Sequence, residues 1–253
     1  MEYNLEDKSV LVTGSTRGIG LEIAKKFLIS GSKVTLNGRN AKNLKENSLI
    51  FKNKNQVFIP ADVSSPDGAK FLIEETIRLQ KKIDIVICNV GSGQSVPPGK
   101  ENFNEWQRVF ANNFFSTTNI IENAKNKLKE TKGSIICISS ICGHEIITNA
   151  PLTYSTAKCA LNFYIKGIAR KLGEDGIRIN GISPGNIMFE GSSWERKLLK
   201  EPDKVYKMLK KNVPLSKFGS PQDIANLCIW LSSKEASFCT GSIFRVDGGQ
   251  LRV

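Results

Sequence analysis

Tyr154 and Lys158 stand four residues apart in Tyr154-Ser155-Thr156-Ala157-Lys158. On a helix that spacing puts a phenol and an ammonium on one face, where both can enter one cleft. A phenol titrates near ~10 and is a poor acid-base catalyst at neutral pH until a nearby cation stabilises the phenolate, which Lys158 can do. Upstream, Ile138-Ser139-Ser140-Ile141-Cys142-Gly143 closes an apolar run. Ligands of open α/β sheets bind at such strand ends, where a serine hydroxyl can hydrogen-bond a carbonyl or cap a turn.

A second group of residues has the chemistry of anion binding. Thr13-Gly14-Ser15-Thr16-Arg17-Gly18-Ile19-Gly20 follows a predicted strand and opens a predicted helix. Glycines there allow a tight turn and let a pyrophosphate approach the unpaired N–H groups of the helix N-terminus. The spacing is G-x-x-x-G-x-G rather than the usual dinucleotide fingerprint, so the strand-turn-helix setting carries much of the reading. At the end of the next predicted strand, Leu36-Asn37-Gly38-Arg39-Asn40 has no acid to take ribose hydroxyls. With Arg39 at its tip and Arg17 in the turn, it favours the extra phosphate of NADP(H) over NAD(H).

The elements that must position these groups alternate. Ser9–Thr13, Lys33–Leu36, Gln56–Ile59, Ile83–Cys88, Ser134–Ser139, Arg178–Ile182 and Ser242–Val246 read as strands. Most are too uniformly apolar to alternate, as expected of strands buried on both faces of a parallel sheet. Between the first two, Ile19, Ile23, Ala24, Phe27 and Leu28 share a helical face, and Gly31 stops the helix. Phe71 to Ile77 reads as another helix, and Trp106–Leu128 and Tyr154–Leu172 as two long ones. The expectation is an α/β fold: one doubly wound Rossmann-type domain over 1–253, with about seven parallel strands and helices on both faces. The stretch 185–214 breaks the pattern and is long for a connection. It reads as a lid over about 186–214, against the alternative of an ordinary surface helix pair.

Bulk properties narrow the function classes. The chain has 253 residues, 40% hydrophobic and 24% charged, which fits a globular domain and not a disordered chain. No apolar run reaches the ~20 residues of a membrane span, and Met1 to Lys8 lacks the order of a secretory signal. Six cysteines without a C-x-x-C pair read as reduced core thiols of a cytoplasmic protein. One histidine, His144, argues against a metal site and against a Ser-His-Asp triad. The net charge of +12 comes from lysines scattered over Lys42–Lys54, Lys125–Lys132 and Lys197–Lys211 with acids between them. That is a solvated surface rather than a nucleic-acid footprint.

Taken together, these residues resemble the short-chain dehydrogenase/reductase family, close to its 3-oxoacyl reductase branch, from Leu5 to Gln250. Thr13–Gly20 is similar to the family's cofactor loop, Asp62-Val63 to its adenine-holding pair, and Asn89-Val90-Gly91 to its N-A-G element. Asn180, Pro184 and Gly185 match N-x-x-x-P-G, and Val246-Asp247-Gly248-Gly249 matches the closing V-D-G-G. The resemblance implies a catalytic set of Asn113, Ser140, Tyr154 and Lys158. In it Tyr154 donates a proton to a developing alkoxide, Ser140 holds the carbonyl oxygen, Lys158 lowers the tyrosine pKa and binds the nicotinamide ribose, and Asn113 positions a relay water. It implies cofactor contacts from Gly14, Ser15, Thr16, Arg17, Gly18, Ile19, Gly20, Arg39, Asp62, Val63, Asn89, Val90, Gly91, Tyr154, Lys158, Pro184, Gly185 and Ile187. It also implies a homo-oligomer, a tetramer or dimer, built by the two long helices and the C-terminal strand.

Three departures from the family pattern stand out. The Ser140-to-Tyr154 gap is one residue longer than usual, so the loop 144–153 is expected to bulge and Ser139 stays open as the alternative serine. Phe189 replaces the family threonine that meets the nicotinamide amide, so the amide either does without that partner or finds it in Ser192. Asp175 stands where reductases of carrier-bound acyl groups tend to have a basic residue. The expected activity is NADPH-dependent reduction of a ketone such as a 3-oxoacyl group. The alternatives are an NAD(P)-dependent dehydrogenase of a hydroxylated or sugar-like substrate, or a non-catalytic cofactor-binding module.

Overall fold

The structure, a computed structural model, describes residues 3–40 and 55–252; the Lys42–Lys54 run and the first two residues of the N-terminal segment lie outside them. The strands are β1 (Ser9–Val12), β2 (Lys33–Gly38), β3 (Gln56–Pro60), β4 (Ile85–Cys88), β5 (Ser134–Ile138), β6 (Arg178–Pro184) and β7 (Ile243–Val246). All neighbours pair in parallel, in the order β3-β2-β1-β4-β5-β6-β7. The expected strands are each found, shifted by a residue or two at their ends. Every residue of β1, β4 and β5 is buried, which explains why their sequences do not alternate.

Helices cover both faces. The α1 (Gly18–Ile29) and α8 (Pro221–Ser232) helices pack on one face, with Ile23, Phe27, Leu28, Ile224 and Ile229 against Val10, Val12 and Ile136. On the other lie α2 (Pro66–Gln80), α4 (Ser116–Thr131) and α5 (Leu152–Glu174), where Leu72, Ile120, Leu128, Leu161 and Ile165 meet Leu11, Val86 and Ile135. Full burial of each such side chain contributes about 1.5–3 kcal/mol.

Local chemistry sets the helix ends. Pro66 starts α2, and the Ser65 hydroxyl accepts from the Gly68 N–H at 3.1 Å. The Asn102 side chain caps α3 (Phe103–Phe110) by accepting from the Glu105 N–H at 3.0 Å. Gly31, at φ +80°, ends α1 as expected, with its N–H on the Leu28 carbonyl.

One segment differs from expectation. The helix predicted over Trp106–Leu128 runs from Phe103 to Thr131, but Ala111–Phe115 between α3 and α4 is a widened π-type turn. Such turns mark functional sites more often than chance, and Asn113 lies in this one. The stretch after β6 forms two helices, α6 (Ser193–Lys200) and α7 (Pro202–Asn212). They carry a small core of their own from Val205, Leu209 and Val213, with Leu198, Met208 and Phe218 around it. The strand order reverses between β1 and β4, so a crevice opens beyond the carboxyl ends of these strands.

Candidate active site

The glycine turn after β1 is shaped for an anion. The N-cap of α1, Arg17, offers no side-chain hydrogen bond to the helix, and its first turn holds no acid. The first N–H groups and the positive end of the dipole therefore face the crevice. Gly14 and Gly18 have φ +61° and +55°, values that favour glycine. A Cβ on Gly20 would run into the Gly14 carbonyl and the Asn89 amide. Asn89 braces the turn: its Nδ2 donates to the carbonyls of Thr13 at 3.1 Å and Gly14 at 3.0 Å.

Ser15 is used inward. Its Oγ accepts from the Asn37 N–H at 2.9 Å, joining the turn to the end of β2. Ile187 is likewise committed: its side chain is part of the core beneath α1 and α8 and abuts Gly219. Of these two, only backbone atoms are left for a cofactor. Arg17 and Arg39 are both exposed at the crevice rim. Asp62, also exposed, holds the turn after β3 by accepting from the Ser64 N–H at 3.0 Å; Val63 beside it is buried in the core. Asn180 lies within β6, where its amide bridges to the Cys239 carbonyl at 2.8 Å and the Ser242 N–H at 3.2 Å. A Cβ on Gly185, next to Pro184, would fall 2.8 Å from the Asp247 Cα.

Across the crevice, Tyr154 and Lys158 face one another from the first two turns of α5, with the ammonium 5.9 Å from the ring centroid. Ser140, just past β5, hydrogen-bonds the Tyr154 phenol and caps its own turn by accepting from the Cys142 N–H at 3.2 Å. The other serine, Ser139, is engaged elsewhere: its hydroxyl donates to Asn162 Oδ1 at 2.6 Å. The loop that follows is pinned by His144, whose Nε2 lies 2.9 Å from the Ser183 Oγ.

Burial dominates the electrostatics. Enclosure of the Tyr154 hydroxyl pushes its pKa up to about 12, with the Ser140 hydrogen bond pulling the other way. Lys158 is not among the groups that shift it. Its Nζ donates to the Ile138 carbonyl at 2.8 Å, and burial brings its own pKa down to about 8. The Tyr154 phenol is thus neutral at neutral pH. The Cys142 thiol, raised mainly by burial, sits beside Ser140 and Ser155. Its sequence setting pointed to a core thiol; only its place two residues after Ser140 could have marked it. Cys159, next to Lys158, is exposed on the opposite side of α5.

Asn113 joins the two halves. Its Oδ1 accepts from the Ser92 N–H at 2.9 Å, and its Nδ2 donates to the carbonyls of Ser92 at 3.1 Å and Val109 at 3.0 Å. A Cβ on Gly91 would lie 2.9 Å from Asn113 Oδ1 and 3.1 Å from Lys158 Nζ. Only glycine lets these two side chains converge there. In the stretch after β6, Phe189 lays its ring against Gly18, where a Cβ would meet ring atoms at 2.5–2.9 Å. Ser192, one of the two alternatives for the missing threonine, caps α6 by accepting from the Glu195 N–H at 3.0 Å.

Comparison with known proteins agrees with this arrangement. The family model of enoyl-(acyl carrier protein) reductases, of the short-chain alcohol dehydrogenase type, matches residues 14–250. A 3-oxoacyl-[acyl-carrier-protein] reductase of Aquifex aeolicus is 31% identical, covering 98% of this chain and 99% of its own. Glucose 1-dehydrogenase 2 of Bacillus subtilis is 31% identical over 98% of this chain and 96% of its own. Among solved structures, L-sorbose reductase from Gluconobacter frateurii, complexed with NADPH and L-sorbose, superposes with a TM-score of 0.92 at 27% identity over the whole of both chains. The chain belongs to the short-chain dehydrogenase/reductase family, the oxidoreductases that use a nicotinamide cofactor to interconvert alcohol and carbonyl groups.

Proposed function

We propose that the chain is an NADPH-dependent reductase of a small-molecule ketone, a 3-oxoacyl group being the first candidate. The observation that carries this reading is the convergence of Tyr154, Lys158 and Asn113 at one end of the crevice, with the Lys158 ammonium 5.9 Å from the Tyr154 ring and both Lys158 Nζ and Asn113 Oδ1 meeting at Gly91. A phenol that carries its proton at neutral pH, beside an ammonium able to replace that proton, can supply one to a developing alkoxide. The bound nicotinamide would supply the hydride.

The chain's own residues do the rest. Ser140 orients the carbonyl oxygen and stabilises charge developing on it. Tyr154 Oη passes its proton to that oxygen. Lys158, half titrated near pH 8 by burial, re-protonates Tyr154, and Asn113 holds the water between Lys158 and solvent. The glycine turn with the bare N-terminus of α1 takes the pyrophosphate. Arg17 and Arg39 take the adenosine phosphate, and Asp62 with Val63 takes the adenine. Asn89, Val90 and Gly91 form the floor beneath the nicotinamide. Residues 186–214 act as the substrate lid.

A second reading, a dehydrogenase or reductase of a hydroxylated, sugar-like substrate, is favoured by the polar entry to the lid, with Asn186 and Ser192 buried and Glu190 and Ser193 beside them. The Ser192 cap weakens it by committing that hydroxyl. The intact Asn113, Ser140, Tyr154 and Lys158 argue against a module without turnover. A homo-oligomer is part of the proposal, supported by exposed Phe115 on the widened turn and Phe163 on α5 and by the open edge of β7.

The test is oxidation of NADPH and NADH with an acetoacetyl thioester and with L-sorbose as acceptors. Faster NADPH oxidation with the thioester supports the first reading, and turnover with L-sorbose alone favours the second. Cofactor binding without turnover of either would sink both. Light scattering on an eluting column peak reads the mass, and a monomer would refute the oligomer.

A further inference from the structure

One polar network lies outside the machinery described so far yet ends on the residue beside Tyr154. The segment from Ser92 to Val96, between β4 and α3, lines the tyrosine: a Cβ on Gly93 would be 3.8 Å from ring carbon Cε1. Asn113 pins its start. Its far end is held by Glu105, in the first turn of α3. The Ser95 Oγ donates to Glu105 Oε1 at 2.7 Å and lies 2.6 Å from the Thr153 Oγ1.

The direction of these bonds follows from chemistry. A carboxylate only accepts, so the Ser95 proton goes to Glu105, and Thr153 must donate to Ser95. Arg108 fixes the carboxylate with two bonds, Nε to Oε2 at 2.8 Å and Nη2 to Oε1 at 2.6 Å, and its Nη2 also donates to the Gln94 carbonyl at 3.0 Å. The guanidinium first, then Ser95, holds the Glu105 carboxyl down to about 2, so it accepts at every working pH. Thr153 is wholly buried and immediately precedes Tyr154.

We infer that Glu105 is a positioning residue for the reaction: through Ser95 and Thr153 it locks the first turn of α5 against the segment 92–96, and so sets the place of the Tyr154 ring and the width of the cleft on that side. Glu105 touches neither substrate nor cofactor. Its effect falls on turnover, because a proton donor displaced by a fraction of an ångström still permits binding but lowers the chance of productive geometry.

This inference rests on Tyr154 being the proton donor, so the experiment carries Tyr154→Phe as a control. NADPH oxidation is followed with an acetoacetyl thioester or L-sorbose, and NADPH affinity by fluorescence titration. Thr153→Val, which keeps shape and loses the hydroxyl, is expected to lower kcat about tenfold while KM and NADPH affinity change less than twofold. Thr153→Ser should restore turnover. Glu105→Gln should lower kcat similarly, and the double variant should be no worse than either single one, because both break one chain of bonds. Wild-type kcat in Glu105→Gln overturns the inference, as do losses that multiply in the double variant, a Thr153→Ser no better than Thr153→Val, or lost NADPH binding in either variant. Should Glu105→Gln fail to fold, the Thr153 pair decides alone. Turnover surviving Tyr154→Phe instead fells the proton-donor assignment itself, and the positioning role with it.

Discussion

The glycine turn after β1 and the Tyr154 face of α5 border the same crevice, but they are built on opposite principles. At the turn, function depends on side chains that are missing. A Cβ on Gly20 would strike the Gly14 carbonyl, and Ser15 turns its side chain inward, so the turn has little but backbone to offer an anion. On the α5 face, function depends on side chains that are present and enclosed, with burial rather than neighbouring charge governing Tyr154 and Lys158. In the proposed function, one region recognises with backbone and tolerates no added atom, while the other reacts with side chains and tolerates no lost one.

The sharpest way to break this contrast is to exchange the penalties. Removing one oxygen in Tyr154→Phe should cut kcat by about 10²–10⁴ and leave NADPH affinity within twofold; turnover near wild type would dissolve the distinction. Adding one carbon in Gly20→Ala should do the reverse, weakening NADPH binding at least tenfold. The overpacked turn should also lose about 1–3 kcal/mol of stability, read by urea titration.

The buried ammonium gives a test on stability alone. Lys158 loses its proton near pH 8 in the folded chain but near ~10.4 when unfolded. Between these values the unfolded state binds more protons, so stability rises with pH. Relative to Lys158→Met, the wild type should therefore gain on the order of 2 kcal/mol from pH 8 to pH 10. A flat difference would mean the amine is not desolvated. The smallest change is expected at the rim. Arg39→Asp should weaken NADPH about tenfold, the scale of one charge-assisted contact, and leave NADH nearly untouched; equal losses for both would remove Arg39 from cofactor choice.

The strands were legible because buried parallel strands are short, β-branched and uniformly apolar, as Val10-Leu11-Val12 and Ile85-Val86-Ile87-Cys88 are. The Tyr154–Lys158 pair was legible because helical spacing puts such residues on one face. What escaped depends on partners distant in sequence. The π-type turn at Ala111–Phe115 accompanies side-chain bonds from Asn113 to Ser92, which lies beyond a loop. That Ser139 is engaged away from Tyr154 depends on Asn162, nearly three turns into α5. That Ser192 caps a helix required knowing that α6 begins there. The helix pair α6–α7 was legible only as an over-long connection.

Cys159 follows the buried Lys158 directly, yet it opens outward, because each step along a helix turns the side chain by about 100°. It is the exposed thiol among the described cysteines; Cys142 and Cys239 are half-covered, and Cys88, Cys137 and Cys228 are enclosed. A maleimide dye attached there would report from the back of the helix whose front carries the phenol. Resistance to labelling that disappears on dilution would reveal that another copy covers this side of α5.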